Sequence, residues 1–188
     1  MKKIIALCFI VLSSTSFAQS KSNVSYSMPA IEVGFKWNSM DLTGSESNKQ
    51  VIGFQLGVST VFDFAASFGL KTGLFYSERP FDSAMTLMPN AKGKVTYFEV
   101  PALFMFKFED YAGFYVGPTL AIKLGDEISQ PYRMVDVKSM IIPITVGAQF
   151  KFLPNMGLNV FFETVPGDIA KDLKNSRAVG ANLLITFD

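Results

Sequence analysis

The 188-residue chain carries 17 Lys and Arg against 16 Asp and Glu, has no histidine and one cysteine, and is 49% hydrophobic with 14% aromatic residues. The balance of charge leaves no basic surface for nucleic acid, and the lack of histidine removes the commonest general base and metal ligand. Nothing in the composition points to a catalytic residue, a metal or a cofactor.

Lys2 and Lys3 precede an apolar run over residues 4–12, and small residues follow up to Ser16 and Ala18. This is the pattern of a secretory signal peptide, cleaved after Ala18, and the run is too short for a membrane helix. Cys8 leaves with it. The mature chain keeps 15 basic and 16 acidic residues, a net charge of −1. The organisation read from the sequence is a signal peptide over 1–18, a polar lead-in over 19–28 and one β domain over 29–188.

Eight stretches of period two follow, the signature of strands. The first, 29–37, sets Ile31, Val33, Phe35 and Trp37 against Glu32, Gly34 and Lys36. After a polar loop, the second, 51–62, sets Ile52, Phe54, Leu56, Val58 and Phe62 against Gly53, Gln55, Gly57 and Ser59. The third, 66–77, opposes Phe68, Leu70, Leu74 and Tyr76 to Gly69, Lys71, Gly73 and Ser77. Residues 78–94 read as the longest loop, since Arg79, Pro80, Asp82, Pro89, Asn90 and Gly93 interrupt them.

The fourth stretch, 97–108, places Phe98, Val100, Ala102, Phe104 and Phe106 opposite Glu99, Pro101, Leu103, Met105 and Lys107. In the fifth, 113–124, Phe114, Val116, Leu120 and Ile122 oppose Tyr115, Gly117, Thr119 and Lys123. The sixth, 140–152, runs Ile142, Ile144, Val146, Ala148, Phe150 and Phe152 against Pro143, Thr145, Gly147, Gln149 and Lys151. The seventh, 157–165, has Leu158, Val160 and Phe162 opposite Asn159 and Glu163, and the eighth, 178–187, alternates Val179, Ala181, Leu183, Ile185 and Phe187 with Gly180, Asn182, Leu184 and Thr186.

Long connections alternate with short ones, and the strand count is even. Both suit an all-β, antiparallel, up-and-down transmembrane barrel of eight strands with short periplasmic turns and longer extracellular loops. The glycines share the polar face, as expected for a narrow lumen with bulky residues turned to lipid. Pro101, Pro118 and Pro143 each remove a ladder donor, and three β-bulges are the expected accommodation.

Tyr97-Phe98-Glu99-Val100-Pro101-Ala102-Leu103 resembles the PorT-like group of small outer-membrane β-barrel domains, whose strands often read Tyr-Leu-Glu-Ile-Pro-Leu-Leu. Gly73-Leu74-Phe75-Tyr76-Ser77 and Phe114-Tyr115-Val116-Gly117-Pro118 resemble that group's Leu-Tyr-Ser and Gly-Pro strands. The group often has an acidic residue where Gly73 stands and usually ends on an aromatic, whereas Asp188 follows Phe187 here. The resemblance implies an outer-membrane location and a barrel; some relatives are linked to secretion or gliding machinery, and no catalytic residues come with it.

Glu32, Lys36, Lys71, Glu99, Lys107, Lys123, Lys151 and Glu163 fall on the polar faces and form the expected lumen charge network. Trp37, Tyr76, Phe106, Phe114, Phe152 and Phe187 lie toward strand ends, where an interfacial girdle belongs. The expected role is structural or surface interaction, with membrane lipid around the barrel and a protein or surface polysaccharide as candidate partner for the loops. Apolar loop residues Met85, Leu87, Met88, Ile128, Tyr132 and Met134 support a partner. A narrow pore is the alternative, mildly cation-excluding because five lysines outnumber three glutamates. An outer-membrane enzyme using loop acids such as Asp82, Asp126, Glu127, Asp136, Asp168 and Asp172 is the remaining one. A monomer is expected.

Overall fold

A strand needs a partner for every backbone N–H and C=O, and closing a sheet on itself supplies them without leaving an edge. The computed structural model, described over residues 25–26, 29–43, 47–84, 91–109, 112–129, 134 and 136–186, does this with eight long antiparallel strands. They are β1 (Ala30–Leu42), β2 (Val51–Ala65), β3 (Phe68–Ala84), β4 (Ala91–Glu109), β5 (Ala112–Ile128), β6 (Ile144–Leu153), β7 (Met156–Thr164) and β8 (Leu173–Thr186). Each pairs with its sequence neighbours. The register from Leu173↔Leu42 to Thr186↔Ala30 joins β8 to β1 and closes the ring.

Three short rungs extend this frame. Ser25–Tyr26 pairs with Phe62 and Asp63, giving the polar lead-in a strand contact. Ser47–Lys49 pairs with Asp82–Ala84, and Met140–Ile141 continues the line of β6 beyond Pro143. The proposed signal peptide lies outside the described residues. Short turns join β2 to β3, β4 to β5 and β6 to β7 at one end, and the longer connections all lie at the other.

The strands outrun their sequence reading at the long-loop end. β3 continues through Glu78, Arg79, Pro80 and Phe81 to Ala84, and β4 begins at Ala91, so much of the expected 78–94 loop is a paired hairpin. β5 likewise reaches Ile128, and β8 starts at Leu173. β3, β4 and β5, with 17, 19 and 17 residues, raise one wall of the ring above β6 and β7, which have 10 and 9.

Outward positions hold an unbroken apolar surface, with Phe35, Ile52, Leu70, Phe104, Phe114, Val146, Val160 and Val179 exposed on successive strands. In water a patch of this extent would associate. The inner face holds the glycines, and it also holds bulky residues. Phe75, Phe81, Tyr97, Leu103, Met105, Tyr115 and Phe161 are all buried there, so the expectation that large side chains turn outward holds for only part of them. Glycines give these rings their seats: a Cβ at Gly57 would strike Phe75, at Gly93 Phe81, at Gly147 Tyr115 and at Gly180 Phe161.

The prolines make no bulges. β4 pairs with β5 as Pro101↔Thr119 and resumes as Phe104↔Val116 in the same register, and β5 pairs across Pro118 and Pro143 without a shift. Proline deletes one donor and adds no residue, so pairing skips a rung and continues. The Pro143 carbonyl still accepts from Thr119 N at 2.8 Å. Register shifts fall elsewhere, near strand ends, at Asp63/Ala65, Thr96/Tyr97, Lys107/Glu109, Met156/Gly157 and Lys174/Arg177.

A Cβ at Gly34 would collide with the Ala181 carbonyl oxygen, whereas one at Gly125 meets nothing within 4 Å. Gly34→Ala is expected to cost about 1–3 kcal/mol by overpacking, and Gly125→Ala about 0.5 kcal/mol or less. Urea unfolding of both variants in lipid vesicles checks the contrast.

Candidate functional site

The inner face is stacked in three layers. Near the short turns, Val61, Leu103, Met105, Tyr115 and Phe161 form an apolar layer. At the long-loop end a second one gathers Met40, Leu42, Phe81, Val95, Tyr97, Ala121 and Ile141. Residues 165–173, between β7 and β8, fold back into the latter: Val165, Ile169, Ala170 and Leu173 are buried in it, and the Ile169 carbonyl accepts from Lys138 N at 2.8 Å. Ile128 and Met134 pack on its rim, which accounts for two of the apolar loop residues. Met85, Leu87, Met88 and Tyr132 lie outside the described residues.

Between the layers sits a buried ion network. Arg79 on β3 bridges two carboxylates, with Nη2 2.7 Å from Glu99 Oε1 and Nη1 2.6 Å from Glu163 Oε1. Lys36 on β1 bridges the same pair, 3.2 Å from Glu99 Oε2 and 3.4 Å from Glu163 Oε2, so four charges close a ring of alternating sign. A second pair, Lys71 and Glu32, meets at 2.8 Å. Gln55 donates to Glu99 at 3.4 Å and accepts from Asn182 at 3.1 Å, and Asn182 donates to Glu32 at 3.2 Å, linking the two groups.

Neutral side chains complete the coordination. Glu32 accepts from Ser59 at 2.5 Å and from Asn159 at 2.7 Å; Tyr115 donates to Asn159, and Lys71 to Gln149 at 2.9 Å. Every one of the eight strands contributes to the network. Each buried cation also faces an inward ring: Lys36 lies 5.8 Å from the centre of Phe161, Lys71 5.0 Å from Tyr115 and Arg79 5.6 Å from Tyr97. The space left beside these groups is a cavity of about 40 Å³ lined by Glu32, Lys71, Tyr115 and Asn182 among others. That is room for about three water molecules.

The eight charges read from the sequence thus divide. Glu32, Lys36, Lys71, Glu99 and Glu163 meet in the network. Lys107 instead pairs with Asp63 at 2.5 Å near the short turns, Lys123 pairs with Asp126 at 2.8 Å near the long loops, and Lys151 sits half-buried close to the β6–β7 turn. Arg79 takes the place the sequence left open, so the buried charges are three cations against three carboxylates, and the lysine excess behind a cation-excluding path is gone. Its signal was parity: Lys71, Gly73, Phe75, Ser77 and Arg79 continue one inward series, which Pro80 and Asp82 hid behind loop-like composition.

Of the aromatic set, Trp37 and Tyr76 are outward toward the long-loop end, and Phe106, Phe114 and Phe152 are outward near the short turns. Phe106 and Phe114 belong to a chain of ring contacts through Phe64, Phe104, Phe68 and Phe108. Phe187 lies outside the described residues. Among the loop acids, Asp82 pairs with Lys92 at 3.3 Å and Glu127 with Lys94 at 3.8 Å, and Asp136 is exposed.

A closed ring of eight strands with an apolar exterior and a polar, ion-paired interior is an architecture with known counterparts. Neisserial surface protein A superposes with a TM-score of 0.56 at 16% identity, over 87% of this chain and 99% of that one. The fold is that of a small outer-membrane β-barrel. Ail, the attachment invasion locus protein of Yersinia pestis, aligns with a TM-score of 0.47 at 16% identity over 85% of this chain and 99% of its own. OprG from Pseudomonas aeruginosa aligns with a TM-score of 0.46 at 13% identity over 85% and 94%. No protein-family model matches the sequence, and no curated protein matches it.

Removing one member of a buried charge ring leaves its partners uncompensated, at a cost of about 3–5 kcal/mol. Arg79→Met is therefore expected to lower stability by that amount, and Arg79→Lys to recover only part, because an ammonium does not reproduce the forked contact with two carboxylates. Equilibrium unfolding in vesicles, followed by tryptophan emission of Trp37, checks both.

Proposed function

We propose that the protein is an integral outer-membrane barrel that does not conduct, exported by a signal peptide over residues 1–18, with a structural or surface-interaction role at its long-loop end. The observation that carries this is the filled interior: a neutral, cross-linked charge network held between two apolar layers. A pore needs a continuous wet path, and the Arg79–Glu99–Lys36–Glu163 ring stands across it.

The exterior supports the bilayer setting. On β3 the outward positions are apolar from Phe68 to Tyr76, apart from Thr72, and turn charged at Glu78 and Asp82. Those eight steps are about 26 Å of strand, or about 20 Å of height at the usual barrel tilt, close to an outer-membrane apolar band. With short turns in the periplasm, the raised β3–β4–β5 wall stands outside the cell. It gives the long connections a rigid base, the setting in which loops usually bind partners.

The PorT-like resemblance at residues 97–103, 73–77 and 114–118 supports the further reading that the barrel is an accessory to a secretion or motility system. A surface polysaccharide or protein is the partner class that reading implies. The absence of histidine argues against the enzyme alternative.

The expected outcome is a heat-modifiable band in outer-membrane fractions together with planar-bilayer conductance at background. Stepwise conductance from the folded protein would reject the closed-barrel reading, and a periplasmic pool without the gel shift would reject the membrane reading.

A further inference from the structure

We infer that the free edge of β5 over residues 124–128 is a docking site for an extended, basic segment of a partner protein, which joins the raised wall as one more strand; this rests on the surface-interaction reading above. Register fixes the height of the site. Gly125 lies opposite Thr96 and Thr96 opposite Glu78, while Ile128 lies opposite Gly93 and Gly93 opposite Phe81. Glu78 is where the outward face of β3 turns charged, so residues 125–128 stand above the apolar band, in water. The four steps from 124 to 128 give about 13 Å of edge.

On one side this stretch is paired with β4, up to the Ser129 N–H that donates to the Lys92 carbonyl at 2.8 Å. On the other side the ladder stops early. Its last rungs are Ala121↔Ile141, Ile122↔Met140 and the Lys123 N–H on the Ser139 carbonyl at 2.7 Å, and among the described residues nothing pairs with 124–128 on that side. The chain returning to the line of β6 turns away from the edge: Met134 and Val137 pack on the apolar layer inside the ring, and Lys138 N donates to the Ile169 carbonyl. A Cβ at Gly125 accordingly meets nothing within 4 Å. The opposite flank of the same wall is covered, since Ser47–Lys49 pairs with Asp82–Ala84 on β3. An open strand edge in water offers unpaired N–H and C=O groups, and an added strand satisfies them.

The side chains select the occupant. Lys123 answers Asp126 at 2.8 Å, whereas Glu127, with 80% of its side chain exposed, is reached by Lys94 at 3.8 Å, a lysine that sits closer to Glu78, at 3.0 Å. Glu127 lies opposite Lys94 on the outward face, and Ile128 packs on the rim of the inner apolar layer. A strand added here therefore fits when it alternates a lysine or arginine, opposite Glu127, with an apolar residue, opposite Ile128. A second copy of this chain fits less well. Antiparallel pairing of two such edges centred on Asp126 sets the two Asp126 side chains opposite each other, and like charges at that position oppose association.

The test is binding of ten-residue peptides to the full mature barrel in phosphatidylcholine nanodiscs, with empty nanodiscs as reference. A peptide alternating lysine and valine is expected to bind about tenfold tighter than one alternating glutamate and valine, the swing between opposite and like charges across a strand pair, and to slow amide hydrogen exchange within 124–128. Glu127→Lys is expected to reverse the preference. Two further forms of the lysine peptide carry N-methyl groups on every lysine or on every valine. Alternate residues of a strand donate to opposite sides, so edge pairing is expected to lose one form and keep the other. Equal binding of the two charged peptides, no effect of Glu127→Lys, or the same response to both methylated forms overturns the proposal. So does a dimer that forms through these residues and ignores the peptides. The heat-shifted band is recorded for every sample: its presence without peptide binding rejects the docking edge and leaves the outer-membrane reading standing, and its absence from the unmodified protein rejects both.

Discussion

Burying six charges inside a ring of eight strands is the constraint on which the rest of this structure depends. A desolvated charge costs several kcal/mol unless it is paired and its remaining hydrogen-bonding capacity is met. Arg79 and Lys36 each answer two carboxylates, and Glu32 gathers Lys71, Ser59, Asn159 and Asn182. Because the partners come from all eight strands, the network is complete only when the sheet is closed in the observed register. A slip of one residue in any strand would turn its charged or polar network side chain to the outside and leave that side chain's partners unpaired. Closure and charge compensation are thus one requirement, and the ion network specifies register more than it adds net stability.

The glycines follow from the same constraint. Gly147 and Gly180 seat Tyr115 and Phe161, and those rings lie against the Lys71 and Lys36 ammonium groups. Removing side-chain volume on one strand makes room for a ring from another, and the ring shields a cation from water. The two apolar layers do the same on a larger scale. By keeping bulk water out they lower the local dielectric, which strengthens each ion pair and raises the penalty for breaking one.

Faces were legible in the sequence and strand ends were not, for one physical reason. Through the apolar band the outward residues are hydrophobic and many of the inward ones polar or glycine, as in Phe35 and Trp37 against Gly34 and Lys36. Above it the surroundings change from lipid to water and the pattern inverts: Met40 and Leu42 point in while Ser39 and Asp41 point out, and Phe81 is buried while Pro80 and Asp82 face outward. A reader following one hydrophobic phase stops at Trp37 and Ser77 and starts again at Tyr97 and Ala178. Arg79 was lost in that gap, although its backbone parity never changed. The polar partners Gln55, Ser59, Gln149, Asn159 and Asn182 were legible as inward but not as a network, because their contacts span up to 150 positions of sequence. The prolines misled in the opposite sense: a missing donor was read as an extra residue, and only the second shifts register.

The inversion also says where change is tolerated. Inside the band the inward charged and polar residues of the network are bound to partners on other strands, so a substitution there disturbs closure. Above it, the raised wall of β3, β4 and β5 is held by its own backbone ladder and by the apolar layer that residues 165–173 complete from within. Its outward side chains Glu78, Asp82, Lys92 and Lys94 pair chiefly across the hairpin, with Glu78 also accepting from Phe54 N on β2 at 3.4 Å and Lys94 reaching Glu127 on β5 at 3.8 Å. A barrel built this way couples its interior to closure of the sheet, while the outward side chains of its rim answer to water and to one another.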